Sequence, residues 1–199
     1  MSKHRHFILH KPYHYLSQFV NNQKRRKNKK LLGELHDFPE GTMSIGRLDQ
    51  NSEGLLFLTT DGKVSEQVRS KKVEKEYFIE VDGLITNEAI AQLRAGVPIT
   101  VEGEQYTTLP CKVHRLTEPP GFKPRTKHLR HEGHGPTSWV SITIVEGKYR
   151  QVRKMSAVVG FPTHRLMRVR IGDIHLSDMQ AGEVIEVEEF ELGGAAKSK

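Results

Sequence analysis

A polar loop between two short apolar runs sets the first constraint on the fold of this chain. Residues 43–45 and 55–58 have the composition of strands, and Gly46 and Gly54 mark places where the backbone turns or approaches another segment closely. Asp49 lies within the loop. An isolated loop aspartate most often caps a turn, but a carboxylate held between two rigid strands can also be aimed at a substrate.

Strands outnumber helices in the hydrophobic pattern of the chain. Residues 138–145 alternate most clearly between apolar and polar side chains. Further strands are predicted at 7–13, 75–81, around 99, and at 109–113, 165–171 and 182–187, and helices at 64–70, 86–95 and 152–160. The helices fall between groups of strands, which predicts an α+β fold with a mostly antiparallel or mixed sheet.

The balance of charge favours a polyanionic partner. The 199 residues carry a net charge of +7, and residues 183–191 contain five glutamates and no lysine or arginine, so the rest of the chain is more basic still. Six positive charges fall between residues 24 and 30, beginning with Lys24, Arg25, Arg26 and Lys27. We interpret this run as a phosphate-binding arm. A solvated loop explains the same run of charge equally well.

Cysteine and histidine usage gives little support to a metal site or to disulfides. Cys111 is the only cysteine, so neither an intrachain disulfide nor a cysteine zinc site can form. Three histidines, His128, His131 and His134, are spaced by three in an irregular loop. Exposed or phosphate-contacting imidazoles explain them better than a metal, and we expect no metal.

Nothing in the sequence predicts a membrane segment. No apolar run approaches the ~18 residues that a spanning helix needs, and the first residues lack a signal-peptide core. We therefore expect a cytoplasmic protein without membrane contact, which also fits the single cysteine.

Four segments together resemble the pseudouridine synthases, in the branch that modifies ribosomal RNA. The stretch from Gly46 to Leu56 matches the catalytic loop of that family, whose pattern is G-R-L-D, two residues, T or S, one residue, then G-L-L. Residues 75–77, 147–155 and 166–172 resemble its second, third and closing motifs. Carried over by position, these motifs place Tyr77, Arg153 and Leu166 beside Asp49 in a catalytic site.

The resemblance implies a long curved mixed sheet with flanking helices, in two subdomains around a catalytic cleft. Residues 5–190 would form the catalytic domain and 191–199 a flexible tail. Many relatives carry a small RNA-binding module ahead of the first strand, but only about six residues precede that strand here. We therefore expect the module to be absent, as in the type E members that act on large-subunit ribosomal RNA.

The reaction that the resemblance implies explains these residue types. The bond between ribose and nitrogen 1 of uracil breaks, the base rotates, and carbon 5 is joined to the sugar, so no cofactor is required. Asp49 would be the nucleophile or base, Arg153 its charge partner, and Tyr77 would stack on the base or take the proton of carbon 5. Leu166 would wall the pocket, and Arg47 would fill the space that the base leaves or grip a phosphate.

Two other functions remain open at this point. A non-catalytic RNA-binding or ribosome-associated protein would use the same basic surface, and an N-glycoside hydrolase would use a single carboxylate. Hydrolysis usually needs a second acid or base, and only Glu53 is near in sequence. The predicted partner is ribosomal RNA of the large subunit, possibly within a pre-ribosomal particle, and the protein is expected to be a monomer.

Overall fold

The computed structural model describes residues 3–20, 29–70, 72–125 and 135–193. The chain divides into two compact units. The first unit comprises residues 1–73 and 167–199, and the second unit comprises residues 74–166. Within the described residues, no helix is both long enough and apolar enough to span a membrane.

The described elements follow one another in an α+β order. The strands are β1 (His6–Lys11), β2 (Met43–Ile45), β3 (Glu53–Thr59), β4 (Lys75–Asp82), β5 (Pro98–Val101), β6 (Glu104–Thr107), β7 (Lys112–Arg115), β8 (Thr137–Ile144), β9 (Thr163–Ile171), β10 (Ile174–His175) and β11 (Val184–Val187). The helices are α1 (Gly62–Ser70), α2 (Asn87–Ala95) and α3 (Gln151–Val158), with a short 3-10 helix at Leu32–Glu34.

The sheet of the first unit is mixed but mostly antiparallel. Its strands lie in the order β11-β1-β3-β9, with β2 added to β3 and β10 to β9. Among the described strands of this unit, β3 and β9 pair in parallel, at Glu53 with Met167 and at Gly54 with Arg168, whereas β1 runs antiparallel to both β3 and β11. The expected α+β class and mixed sheet are therefore confirmed.

Strand β3 is buried along its whole length. On one face, Leu56 and Leu58 pack in a core with Phe7, Leu9 and Leu32. Near the end of the described chain, the ring of Phe190 stacks on that of Phe57, with 4.5 Å between the ring centroids. A strand buried in this way is a rigid base for the loop that precedes it.

Gly54 is required by a close approach of two strands. Its φ is +106°, and a Cβ placed there would lie 2.2 Å from the carbonyl oxygen of Arg168. No side chain can be accommodated at that distance, so only glycine allows β3 and β9 to pair here. Gly46, with φ +71° and open space around it, provides the turn at the other end of the loop.

The second unit is built on an antiparallel sheet of β4, β8 and β7, with a separate hairpin of β5 and β6. Strand β8 pairs with β4 over eight residues, from Thr137 to Ile144. Helix α2 begins after Thr86, whose hydroxyl accepts a hydrogen bond from the Ala89 N–H at 3.2 Å, and ends at Gly96 with φ +104°. Both helix ends agree with the sequence prediction.

One predicted strand is displaced. The pattern suggested a strand at 109–113, but β7 begins at Lys112. Pro110 has no N–H to offer a neighbouring strand, and the N–H of Leu109 donates to the Glu146 carboxylate at 2.9 Å instead. The basic residues 24–27 and the histidines 128, 131 and 134 lie outside the described residues.

Candidate active site

Asp49 occupies a short turn between β2 and β3. The N–H of Ser52 donates to the carbonyl oxygen of Asp49 at 3.0 Å, which closes the turn over residues 49–52. Leu48 and Ser52 are buried on either side, whereas Asp49 is half-buried and Arg47 is exposed. The residues on either side of the turn are therefore buried in the first unit, and Asp49 itself is partly exposed.

The segment that follows β1 contacts this turn on both sides of Asp49. The hydroxyl of Ser17 donates to the carbonyl oxygen of Leu48 at 2.7 Å and accepts from the Leu48 N–H at 3.0 Å. Beyond Asp49, the carbonyl oxygen of Gln50 accepts from the N–H of His14 at 2.9 Å. No local signal marks Ser17 as a functional residue, because nothing in the sequence pairs residue 17 with residue 48.

Buried charges accompany the turn in the first unit. Lys11 is fully buried, and its ammonium group donates to the carbonyl oxygens of Pro12 and Tyr15 at 2.9 and 2.8 Å. Loss of hydration lowers the pKa of Lys11 to about 7, although the charges of Glu53 and Asp49 oppose this shift and Arg168 adds to it. Glu53 and Arg168 are themselves buried.

Arg168 links this charged group to the parallel strand pair. Its guanidinium Nε donates to the carbonyl oxygen of Leu55 at 2.7 Å, next to the point where Gly54 meets β9. In the sequence, Lys11 and Arg168 were only parts of a strand and a motif, and Glu53 was considered only as a second acid or base for hydrolysis. Their burial beside Asp49 depends on strand pairing across distant parts of the chain, which no local pattern indicates.

The second unit holds the other residues that the motifs predict. Tyr77 lies in β4 and is 8% exposed, on the face shared with Ile79 and Val81. Leu166 lies in β9 and is also buried. Arg153 lies in α3, is half-buried, and donates from Nη1 to the carbonyl oxygen of Thr163 at 3.3 Å. Arg153 is therefore not a freely exposed helix charge.

A carboxylate fixes the start of the helix that carries Arg153. Glu146 accepts hydrogen bonds from the Tyr106 hydroxyl and from Nε2 of Gln151, and Oε1 of Gln151 accepts from the Lys148 N–H at 3.0 Å. The bond to Glu146 raises the pKa of Tyr106. These contacts tie the β5–β6 hairpin to the first turn of α3, so the helix that bears Arg153 has a defined starting point.

Among the residues described, no three His, Cys, Asp or Glu side chains lie close enough together to hold a metal ion. Of the residues that the motifs predict, Asp49 and Arg47 lie in the first unit, and Tyr77, Arg153 and Leu166 lie in the second. Lys24, Arg25, Arg26 and Lys27 lie outside the described residues.

Comparison with known proteins identifies the class to which this fold and this set of residues belong. The family model described as RNA pseudouridylate synthase matches residues 5–158, which is more than half of the chain. The protein therefore belongs to the RNA pseudouridylate synthase family. This result confirms the resemblance that the four sequence motifs indicated.

Individual relatives agree with this family. The chain is 38% identical to ribosomal large subunit pseudouridine synthase E of Vibrio parahaemolyticus, over 91% of this chain and 73% of the relative. It is 39% identical to the protein of the same name from Xanthomonas axonopodis pv. citri, over 85% of this chain and 86% of the relative. The fold is also similar to a crystal structure of a pseudouridylate synthase, with a TM-score of 0.71 and 26% identity. The match spans 94% of this chain and 71% of that structure's chain.

Proposed function

We propose that the protein isomerises a specific uridine of large-subunit ribosomal RNA to pseudouridine, with Asp49 as the catalytic nucleophile or base. The proposal rests on the turn at Asp49. This turn contains the complete family motif, Asp49 is half-buried, and hydrogen bonds hold the main chain next to it. The names of the type E relatives support the choice of large-subunit RNA as substrate.

Asp49 acts in its ionised form, because only the carboxylate can attack a carbon or accept a proton. Arg153 supplies the matching positive charge, and a guanidinium keeps that charge throughout the reaction. Its partly buried position and its bond to Thr163 support this role, since the side chain is held rather than free in solvent.

Tyr77 and Leu166 bind the target base. Flipping a nucleotide out of its stack costs a few kcal/mol, and stacking on an aromatic ring returns roughly 1–3 kcal/mol. The Tyr77 hydroxyl is the proposed acceptor of the carbon 5 proton once the new bond to ribose has formed. Arg47, which is exposed, fills the space that the base leaves or holds a neighbouring phosphate.

The isomerisation balances without a cofactor. The bond from ribose to nitrogen 1 is exchanged for a bond from ribose to carbon 5, and carbon 5 gives up a proton while nitrogen 1 gains one. We propose residues 5–190 as the catalytic domain and residues 191–199 as its tail, of which 194–199 lie outside the described residues. Lys24, Arg25, Arg26 and Lys27 are the proposed phosphate-binding residues. The protein is proposed to act as a cytoplasmic monomer on ribosomal RNA, free or within a pre-ribosomal particle.

The test is conversion of large-subunit ribosomal RNA by the purified protein, followed by mapping of pseudouridine. Asp49→Asn keeps the size of the side chain and removes its charge. We expect no detectable pseudouridine from this variant and RNA affinity within several-fold of wild type. Asp37→Asn, at an exposed aspartate of the same unit, is the matched control and should remain active.

Two other outcomes would contradict the proposal. Tight RNA binding without conversion by the wild-type protein would indicate a non-catalytic RNA-binding protein. Release of free uracil, leaving abasic sites in the RNA, would indicate an N-glycoside hydrolase. Appreciable turnover by Asp49→Asn would remove Asp49 from the chemistry while leaving the family assignment in place.

A further inference from the structure

A single buried serine holds the main chain immediately before Asp49. Ser17 is 6% exposed and lies in the segment after β1. Its hydroxyl donates to the carbonyl oxygen of Leu48 at 2.7 Å and accepts from the N–H of the same residue at 3.0 Å. Because Leu48 is 7% exposed, water has little access to these two groups, and the serine satisfies both of them.

The segment that carries Ser17 is fixed from several directions. The Lys11 ammonium binds the carbonyl oxygens of Pro12 and Tyr15. The N–H of Leu16 donates to the carbonyl oxygen of Lys30 at 2.9 Å, and the hydroxyl of Ser44 donates to the carbonyl oxygen of Ser17 at 3.1 Å. Ser17 is therefore part of a well-anchored segment, and it can impose a position on the loop that it contacts.

Part of the loop is exposed, although Leu48 and Ser52 are buried. Gly46 has no heavy atom within 4 Å of the place where a Cβ would stand, and Arg47 and Asn51 are exposed. Two contacts from the segment after β1 reach the loop. The Ser17 hydroxyl binds the main chain of Leu48 before Asp49, and the His14 N–H donates to the carbonyl oxygen of Gln50 after it. Both contacts act on main-chain groups of the residues next to Asp49, so they bear on the position of its Cα atom.

We infer that Ser17 is a positioning residue for Asp49, acting through the main chain of Leu48. The inference rests on the proposed catalytic role of Asp49. Catalytic groups must be held within about 0.5 Å of their productive position, and a misplacement of about 1 Å can cost roughly 100-fold in rate. Loss of the Ser17 hydroxyl leaves both polar groups of Leu48 without this partner and removes one of the two contacts that reach the loop.

The experiment compares Ser17→Ala with Ser17→Thr, which keeps a hydroxyl, and with Ser65→Ala. Ser65 is a buried serine of α1 in the same unit, so its variant controls for the loss of a buried hydroxyl. Turnover of large-subunit ribosomal RNA is measured below the unfolding temperature of every variant. We expect Ser17→Ala to lower kcat by about 10- to 100-fold with KM within about threefold of wild type.

Two comparisons separate a positioning role from a general effect on stability: recovery of kcat in Ser17→Thr, and a change in kcat without a change in KM. Ser17→Thr should keep kcat within a few-fold of wild type, and Ser65→Ala should leave kcat unchanged even where its unfolding temperature falls. The inference is overturned if folded Ser17→Ala has wild-type kcat, if only KM changes, or if Ser17→Thr is as slow as Ser17→Ala. Where Ser17→Ala does not fold, Ser17→Cys, with its weaker donor and acceptor, replaces it under the same criteria.

Failure of this inference is distinguishable from failure of the proposed function. A wild-type protein that forms no pseudouridine would refute the function. An active wild-type protein whose Ser17→Ala variant is equally fast would refute only the positioning role of Ser17.

Discussion

Replacing Lys11 by methionine removes an ammonium group from the interior of the first unit and keeps a side chain of similar length. Lys11 is fully buried, and burial lowers its pKa from 10.5 to about 7. The opposing charges of Glu53 and Asp49 do not restore the ordinary value, and the positive charge of Arg168 acts in the same direction as burial. The folded state thus disfavours the charged form of Lys11 relative to the unfolded chain.

The sign of the pH effect follows from proton binding. Between about pH 7 and pH 10.5, the unfolded chain keeps the proton of Lys11 and the folded protein has released it. Because the unfolded state binds more protons there, the free energy of unfolding rises with pH, by about 1.4 kcal/mol per pH unit. Over the full window the free energy of unfolding increases by about 5 kcal/mol. From pH 7.5 to 9.5 it increases by about 3 kcal/mol.

The assay is urea unfolding of wild type and Lys11→Met at several pH values between about 7.5 and 9.5. Across that range, the free energy of unfolding of wild type should increase by about 3 kcal/mol relative to that of Lys11→Met. Other titrating groups contribute equally to both proteins, so their effects cancel in the difference. Lys63→Met, at an exposed lysine of the same unit, should follow wild type. Parallel curves for wild type and Lys11→Met would refute the reasoning, because they would show that Lys11 releases no proton on folding.

The other predictions concern RNA conversion and RNA binding. Arg153→Leu should abolish turnover, because the variant lacks the proposed partner of Asp49; an active Arg153→Leu protein in the conversion assay would contradict the pair. Tyr77→Phe should bind RNA normally but fail to complete the isomerisation, whereas Tyr77→Ala should also lose roughly 3–5 kcal/mol of stability because the ring is buried; equal and near-wild-type rates would exclude Tyr77. Changing the six basic residues between 24 and 30 to serine or glutamine should flatten the slope of log affinity against log salt by about 4 without changing the uridine that is modified; an unchanged slope would assign these residues to a solvated loop.

Local signals in the sequence predicted the elements whose formation is itself local. The alternation in residues 138–145 corresponds to β8, and Thr86 and Gly96 mark the two ends of α2, because strand alternation and helix capping depend on residues a few positions apart. The loop of Asp49 also followed from local features, since glycine at positions 46 and 54 is needed for positive φ.

The arrangement of strands could not be predicted in the same way. The parallel pairing of β3 with β9 joins Gly54 to Arg168, and neither residue carries a local signal for its partner. The burial of Lys11 has the same origin. A lysine before a proline is typical of an exposed strand end, and only the neighbouring strands and the segment up to Ser17 convert it into an interior charge.

The motif contains the carboxylate of Asp49, and distant segments contact the loop that carries it. Leu48 depends on Ser17, the start of β3 depends on the backbone of Arg168, and Lys11 fixes the carbonyl groups of the segment that reaches the loop. Substitutions at such positions change the geometry of the carboxylate without changing any group that reacts, so their effects should fall on kcat rather than on RNA affinity. We therefore expect the residues that influence the rate to extend beyond the motif to the strands and turns that contact it.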